Sequence, residues 1–184
     1  MAKSILRCAA AVLAAVLVAA GCSGNKDQAG QGKGKPRIAL VMKSLANEFF
    51  KTMEDGARAH QQAHADQYEL IAQGIKNEED VQKQIDIVDQ MISQGVNAIV
   101  IAPANSKALV PVCKRAIDRG IKVVNIDNKF DDAVLADQKA AIPFVGPDNR
   151  AGARKAGEVL AGKLQAGDEV AIIAGIPDAF NGVQ

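Results

Sequence analysis

From Pro36 onward the chain repeats one unit, a short apolar run followed by an amphipathic stretch, at a spacing of roughly 25 to 30 residues. The apolar runs are Ile38–Met42, Tyr68–Ala72, Ala98–Ala102, Lys122–Ile126, Ile142–Val145 and Glu169–Ala174. Each has the length of a buried strand, and Ala98–Ala102 is apolar throughout, as expected when both faces of a sheet are covered. Alternation of this kind predicts an α/β fold with a parallel sheet, and right-handed crossovers then place helices on both faces. In open sheets of this class the ligand crevice lies outside the carboxyl ends of the strands. The polar residues that follow each strand are therefore the candidates for function.

The intervening stretches read as helices over Asn47–Ala65, Glu78–Ser93, from Asn105 or Ser106 to Arg119, and Asn149–Leu164. The second is the most regular, with Val81, Ile85, Val88 and Ile92 on one face. Glu78, Glu79 and Asp80 stand at its amino end, where the helix dipole favours them, and Gly95 is the expected stop. Asn128–Ala141 reads as a polar, irregular connection, and Gly175–Gln184 as a loop or the beginning of a helix. Cys113 shares a helical face with Val110 and Ile117 and reads as core.

Ahead of Pro36 the chain is of another kind. Lys3 and Arg7 precede an apolar stretch, Cys8–Ala20, too short to span a bilayer comfortably, which marks an export signal. It closes on Val18-Ala19-Ala20-Gly21-Cys22, which resembles the lipobox of bacterial lipoproteins and implies cleavage before Cys22 and lipidation of that cysteine. Ser23–Lys35 holds almost nothing apolar and predicts a flexible tether. With Cys8 removed and Cys22 acylated, Cys113 has no partner for an internal disulfide. An exported protein anchored to a membrane through lipid is expected.

At the strand ends stand Lys43, Asn105, Asp127, and the pair Asp148 and Asn149. Asn47 has the position of a helix N-cap. Of the adjacent rings, Phe50 shares the core face with Met53, whereas Phe49 is turned towards the helix amino end and is the better candidate to face a ligand. A ring beside Lys, Asn and Asp suits a polyhydroxylated molecule: its C–H groups stack on the ring, and charged groups strengthen the hydrogen bonds to its hydroxyls.

Other chemistries lack their signatures. A formal net charge of +1 gives no basic footprint for nucleic acid. No G-x-G-x-x-G follows the first strand and no Walker A sequence occurs, so no nucleotide cofactor is expected. His60 and His64 lie one turn apart, but the stretch between them lacks the glutamate of the zinc-protease motif. Asp86, Asp89 and the Glu78 cluster read as a solvated face. No Ser/His/Asp or Cys/His set emerges, and the chain reads as a binding protein without catalysis, cofactor or metal.

Several stretches resemble ribose- and allose-type periplasmic sugar-binding proteins: Val41-Met42-Lys43-Ser44-Leu45-Ala46-Asn47-Glu48-Phe49-Phe50, Ile101-Ala102-Pro103, Val124-Asn125-Ile126-Asp127-Asn128-Lys129, and Gly146-Pro147-Asp148-Asn149-Arg150-Ala151-Gly152. Ile172-Ile173-Ala174-Gly175 and Phe180-Asn181-Gly182 fit the same order. The resemblance implies two α/β lobes that close on a monosaccharide and deliver it to the membrane subunits of an ABC importer, the receptor itself being a monomer. It implies ligand contacts from Lys43, Asn47, Phe49, Phe50, Asp127 and Asn128 in the first lobe, and from Asp148 and Asn181 in the second. Glu48 stands where the family commonly has proline, and Asn128-Lys129 is nearer the allose type than the ribose type. The divisions expected are a signal peptide over 1–21, a tether over 22–35, a first lobe over 36–140 and an incomplete start of a second lobe over 141–184. On this reading the chain is a truncated product or a fragment, Asn149–Gln184 packs poorly, and sugar binding by the 184-residue chain is weak or lost. A receptor for another small polar solute, or for a chemotaxis or sensor system, would use the same fold.

Overall fold

The computed structural model describes residues 34–175 and 180–183. The expected signal peptide, Cys22 and nearly all of the expected tether lie outside the described residues. Eleven elements follow in chain order: β1 (Arg37–Ser44), α1 (Glu48–Ala63), β2 (Glu69–Ile75), α2 (Val81–Ser93), β3 (Ala98–Ile101), α3 (Val110–Asp118), β4 (Lys122–Ile126), α4 (Asp132–Asp137), β5 (Phe144–Val145), α5 (Asn149–Ala161) and α6 (Phe180–Val183). The five strands form one parallel sheet in the order β2-β1-β3-β4-β5.

The two faces of β1 show why the sheet is covered on both sides. Ala39 and Val41 belong to a large apolar cluster with Ile87, Val88 and Met91 of α2 and Val112 and Cys113 of α3. Leu40 and Met42, one residue out of phase, join Phe50 of α1 in a smaller cluster flanked by Met53 and Ala57. Period-two alternation thus feeds two cores, one per face. Burial pushes the Cys113 thiol up to about 12, with a small opposing pull from Arg115, so it is an inert core side chain.

Local capping accounts for the helix boundaries. The Asn47 side chain accepts from Phe49 N–H at 3.0 Å and starts α1. Asp80, not Glu78, caps α2, accepting from Lys83 N–H at 3.1 Å, so Glu78 and Glu79 lie in the loop before the helix. At the far end Gly95 takes φ +66°, a left-handed turn that glycine enters without a Cβ penalty.

Three segments differ from their sequence expectation. Asn105 accepts from the N–H groups of Lys107 and Ala108, both at 2.9 Å, and builds a turn; α3 itself begins only at Val110. The connection after Asn128 contains a helix, α4, because Asp131 caps it through Val134 N–H at 3.0 Å while Val134 and Leu135 pack on the core. The strand expected over Glu169–Ala174 is absent: these residues are irregular and Ile173 is 98% exposed. A strand needs a neighbour for its backbone N–H and C=O groups, and no described strand lies beside this run.

Candidate binding cleft at the carboxyl ends of the strands

The end of β1 is irregular in a way that aims Lys43. Met42 pairs with Gly74 and Ser44 with Ile75, which leaves Lys43 as the extra residue of a bulge. Strict alternation would put Lys43 on the face of Ala39 and Val41. Its ammonium instead lies 5.6 Å from the centre of the Phe50 ring, on the face of Leu40 and Met42. A side chain at position 74 would prevent this, since a Cβ there would sit 2.5 Å from the Lys43 carbonyl oxygen and 2.8 Å from Leu45 Cγ. Ser44 then closes the strand, its hydroxyl donating to Lys76 O at 2.7 Å.

Asp127 reaches the same point from β4. It leaves the strand at φ +58°, a conformation that Asp tolerates better than most residues. Asn125 holds the turn: its amide nitrogen donates to Asn128 O at 2.9 Å and its oxygen accepts from Phe130 N–H at 2.8 Å. Asn128 is fully buried, donating to Pro103 O at 3.0 Å and accepting from Asn181 N–H at 3.2 Å. Its polar atoms are thereby engaged within the chain, and it positions the loop.

Lys43 Nζ lies 3.6 Å from Asp127 Oδ2 and 4.0 Å from Glu78 Oε2, and the lysine as a whole is only 6% exposed. Asp127 Oδ2 is itself buried and has no hydrogen-bond partner among the described residues. Burial raises the Asp127 carboxyl above its ordinary range; Lys43 opposes this, Glu78 adds to it, and the Asn181 amide opposes it. Asn47, besides capping α1, donates from its amide to Glu78 Oε1 at 2.8 Å. Ser44, Asn47, Lys76 and Glu78 are among the residues lining an open cleft of about 600 Å³ beside this cluster.

The rings divide as expected. Phe50 is 3% exposed and packs in the core, while Phe49 is 57% exposed, edge-on to Phe50 with centroids 5.1 Å apart. Asn181 donates to Asp127 Oδ1 at 3.4 Å and accepts from the Asn149 amide at 2.8 Å. Asp148 is placed differently: its carboxylate caps α5 through Ala151 N–H at 2.9 Å. Lys43, Asn47, Phe49, Phe50, Asp127, Asn128 and Asn181 therefore form one connected set, and among the described residues no side-chain hydrogen bond or ion pair joins Asp148 to it.

Glu78 is the member that sequence reasoning left out, because an acidic residue just before an amphipathic run looks like a helix-dipole partner. Its position in the loop leaving β2, itself a carboxyl-end loop, was the available signal. Gln84 was also missed. It is fully buried on α2, donates to Met42 O at 3.2 Å and Ala102 O at 2.9 Å, and accepts from Ala104 N–H at 2.7 Å. It ties the ends of β1 and β3 to the helix behind them.

His60 and His64 stack at 4.1 Å, with His60 Nδ1 2.9 Å from the Tyr68 hydroxyl and His64 Nδ1 2.8 Å from His60 O. Among the described residues no group of three or more His, Cys, Asp or Glu side chains could hold a metal ion.

The chain is similar in sequence and fold to known proteins. The family model described as a periplasmic binding protein domain matches residues 38–184. A D-ribose/D-allose-binding protein of Pseudomonas aeruginosa is 65% identical over 150 residues, 82% of this chain and 47% of that protein. Among solved structures, an ABC transporter solute-binding protein from Burkholderia multivorans aligns with a TM-score of 0.80 at 59% identity, over 82% of this chain and 53% of that one. A periplasmic solute-binding protein from Actinobacillus succinogenes with bound D-allose aligns with a TM-score of 0.75 at 32% identity, over 81% and 51% of the two chains. The chain spans about half the length of these relatives.

Proposed function

The chain belongs to the periplasmic binding protein domain family, and from that premise we propose that it serves an exported receptor for a monosaccharide of the ribose or allose kind, delivered to an ABC importer. The observation that carries the reading is the buried Lys43–Asp127 pair, whose Asp127 Oδ2 lacks a hydrogen-bond partner among the described residues, set beside the exposed ring of Phe49. A sugar hydroxyl donating to Oδ2 supplies the hydrogen bond that this buried acceptor lacks beside the Lys43 ammonium. Phe49 offers an apolar face to the C–H side of the ring. Lys43 and Asn47 set the edge of the site, Phe50 supports Lys43 from below, and Asn181 closes over Asp127. Asp148 contributes through the α5 cap. The role of this set is binding: a polar cluster and an exposed ring at the carboxyl ends of the strands suit a neutral polyhydroxylated ligand. Export and attachment to a membrane through Cys22 rest on the signal-like pattern of residues 1–22.

A thermal-shift screen of the complete mature protein against pentoses, hexoses, polyols and amino acids tests the reading. A ligand at 100 times its dissociation constant adds roughly 2.7 kcal/mol of stability, a readily measured rise in melting temperature. Asp127→Ala is expected to remove the sugar response. Stabilisation by amino acids with every sugar silent, or a sugar response that survives Asp127→Ala, would overturn it.

A further inference from the structure

We propose that Glu78 sets the charge selectivity of the cleft: it shares Lys43 with Asp127, fixes the Asn47 amide, and turns away anionic ligands such as sugar acids in favour of neutral polyhydroxylated ones. The proposal rests on the receptor reading above. Glu78 stands in the loop between β2 and α2. One carboxylate oxygen accepts from Asn47 Nδ2 at 2.8 Å and the other lies 4.0 Å from Lys43 Nζ. The Asn47 oxygen meanwhile accepts from Phe49 N–H at 3.0 Å, so both ends of that amide are committed and its orientation is set. The lysine ammonium, with Asp127 3.6 Å away as well, is buried beside two carboxylates. It is not free to neutralise a third carboxylate brought by a ligand.

The charges of the cleft wall and of the buried cluster beside it come from three elements. β1 supplies Lys43, the loop after β2 supplies Lys76, Glu78 and Glu79, and the turn after β4 supplies Asp127, with the Asn181 amide of α6 beside it. Two ammonium groups against three carboxylates leave one net negative charge. Lys76 and Glu79 are exposed and screened by water, whereas the Lys43–Asp127–Glu78 trio is largely withdrawn from it. A ligand carboxylate entering here meets like charge where screening is weak, which is worth at least about tenfold in affinity.

The test uses Glu78→Gln, which keeps an acceptor for Asn47 and removes the charge, and Glu78→Ala, which removes both. In sugar-free protein the Asp127 carboxyl is titrated by carbon-13 NMR; in parallel, binding of an aldose is compared with its aldonic acid. In Glu78→Gln the Asp127 titration is expected to move to lower pH, and the preference for aldose over aldonate to narrow by about tenfold. Glu78→Ala is expected to weaken aldose binding further than Glu78→Gln does, because only glutamine still anchors Asn47. An Asp127 titration that does not move in Glu78→Gln, or an aldose-to-aldonate ratio left unchanged, overturns the proposal. Complete mature wild-type protein that binds no aldose overturns the receptor reading and the selectivity with it. A titration that still moves in that case locates the failure in the reading, not in the geometry around Glu78.

Discussion

Helices α2 and α5 are each 13 residues long and each is started by an aspartate whose side chain accepts from the third helical N–H, Asp80 from Lys83 and Asp148 from Ala151. Their fates differ. α2 buries Gln84, Ile87, Val88, Met91 and Ile92 against the sheet, while no residue of α5 is buried and Val159 and Leu160 face solvent. Capping and periodicity decide that a segment can be helical. What the apolar stripe meets decides whether the helix contributes to a fold.

The sharpest way to break the comparison is to cut equivalent apolar side chains. Met91→Ala in α2 is expected to lower unfolding stability by about 2–5 kcal/mol, whereas Leu160→Ala in α5 should change it by about 0.5 kcal/mol or less. Urea unfolding of both variants measures this, and equal losses would show that α5 packs as α2 does. Next comes Gln84→Ala, expected to lose about 1–3 kcal/mol by orphaning Ala104 N–H and the carbonyls at the ends of β1 and β3. Denaturant midpoints read that loss, and amide exchange at Ala104 locates it.

The caps come third. Asp80→Ala is expected to lower global stability by about 1 kcal/mol, while Asp148→Ala leaves the global midpoint in place and speeds amide exchange within α5 only. The smallest effect concerns Asp127. Its carboxyl is raised above the ordinary range, chiefly by burial, so the native state holds that proton more tightly than the unfolded chain does. Stability from this group therefore falls as pH rises through the raised pKa and is regained on acidification. Asp127→Asn, with Glu78 still beside Lys43, is expected to melt slightly above wild type at neutral pH. The gap should close as pH falls towards the unfolded carboxylate value, as followed by melting curves across pH. A gap that widens with acid would reverse the sign argued for Asp127.

Much of this was legible in the residues. The strand runs, the Asn47 cap, the buried Phe50 against the exposed Phe49, and Asp127 at the end of β4 all follow from local pattern, because local pattern is what produces them. Gln84 was hidden because a polar residue inside an apolar stripe reads as an interruption, and its partners lie on two distant strands. Glu78 was hidden by a competing explanation that suited its neighbours. The helix α4 is too short for periodicity to announce. The strand expected at Glu169–Ala174 failed for the opposite reason: its pattern is right, and a strand is completed only by a partner. Asp148 shows a residue type serving two purposes, since a carboxylate before a helix caps whether or not it also meets a ligand.

The bulge at Lys43 carries a consequence for anyone redesigning specificity. The ammonium's aim depends on a backbone slip, and that slip depends on bare space at Gly74, on a neighbouring strand. Libraries that vary Asn47 or Glu78 in the cleft lining would leave the backbone slip in place, whereas one that varies position 74 would misdirect Lys43 without touching a single lining residue. The place to hold constant is therefore outside the site, where a missing side chain acts as part of the tool.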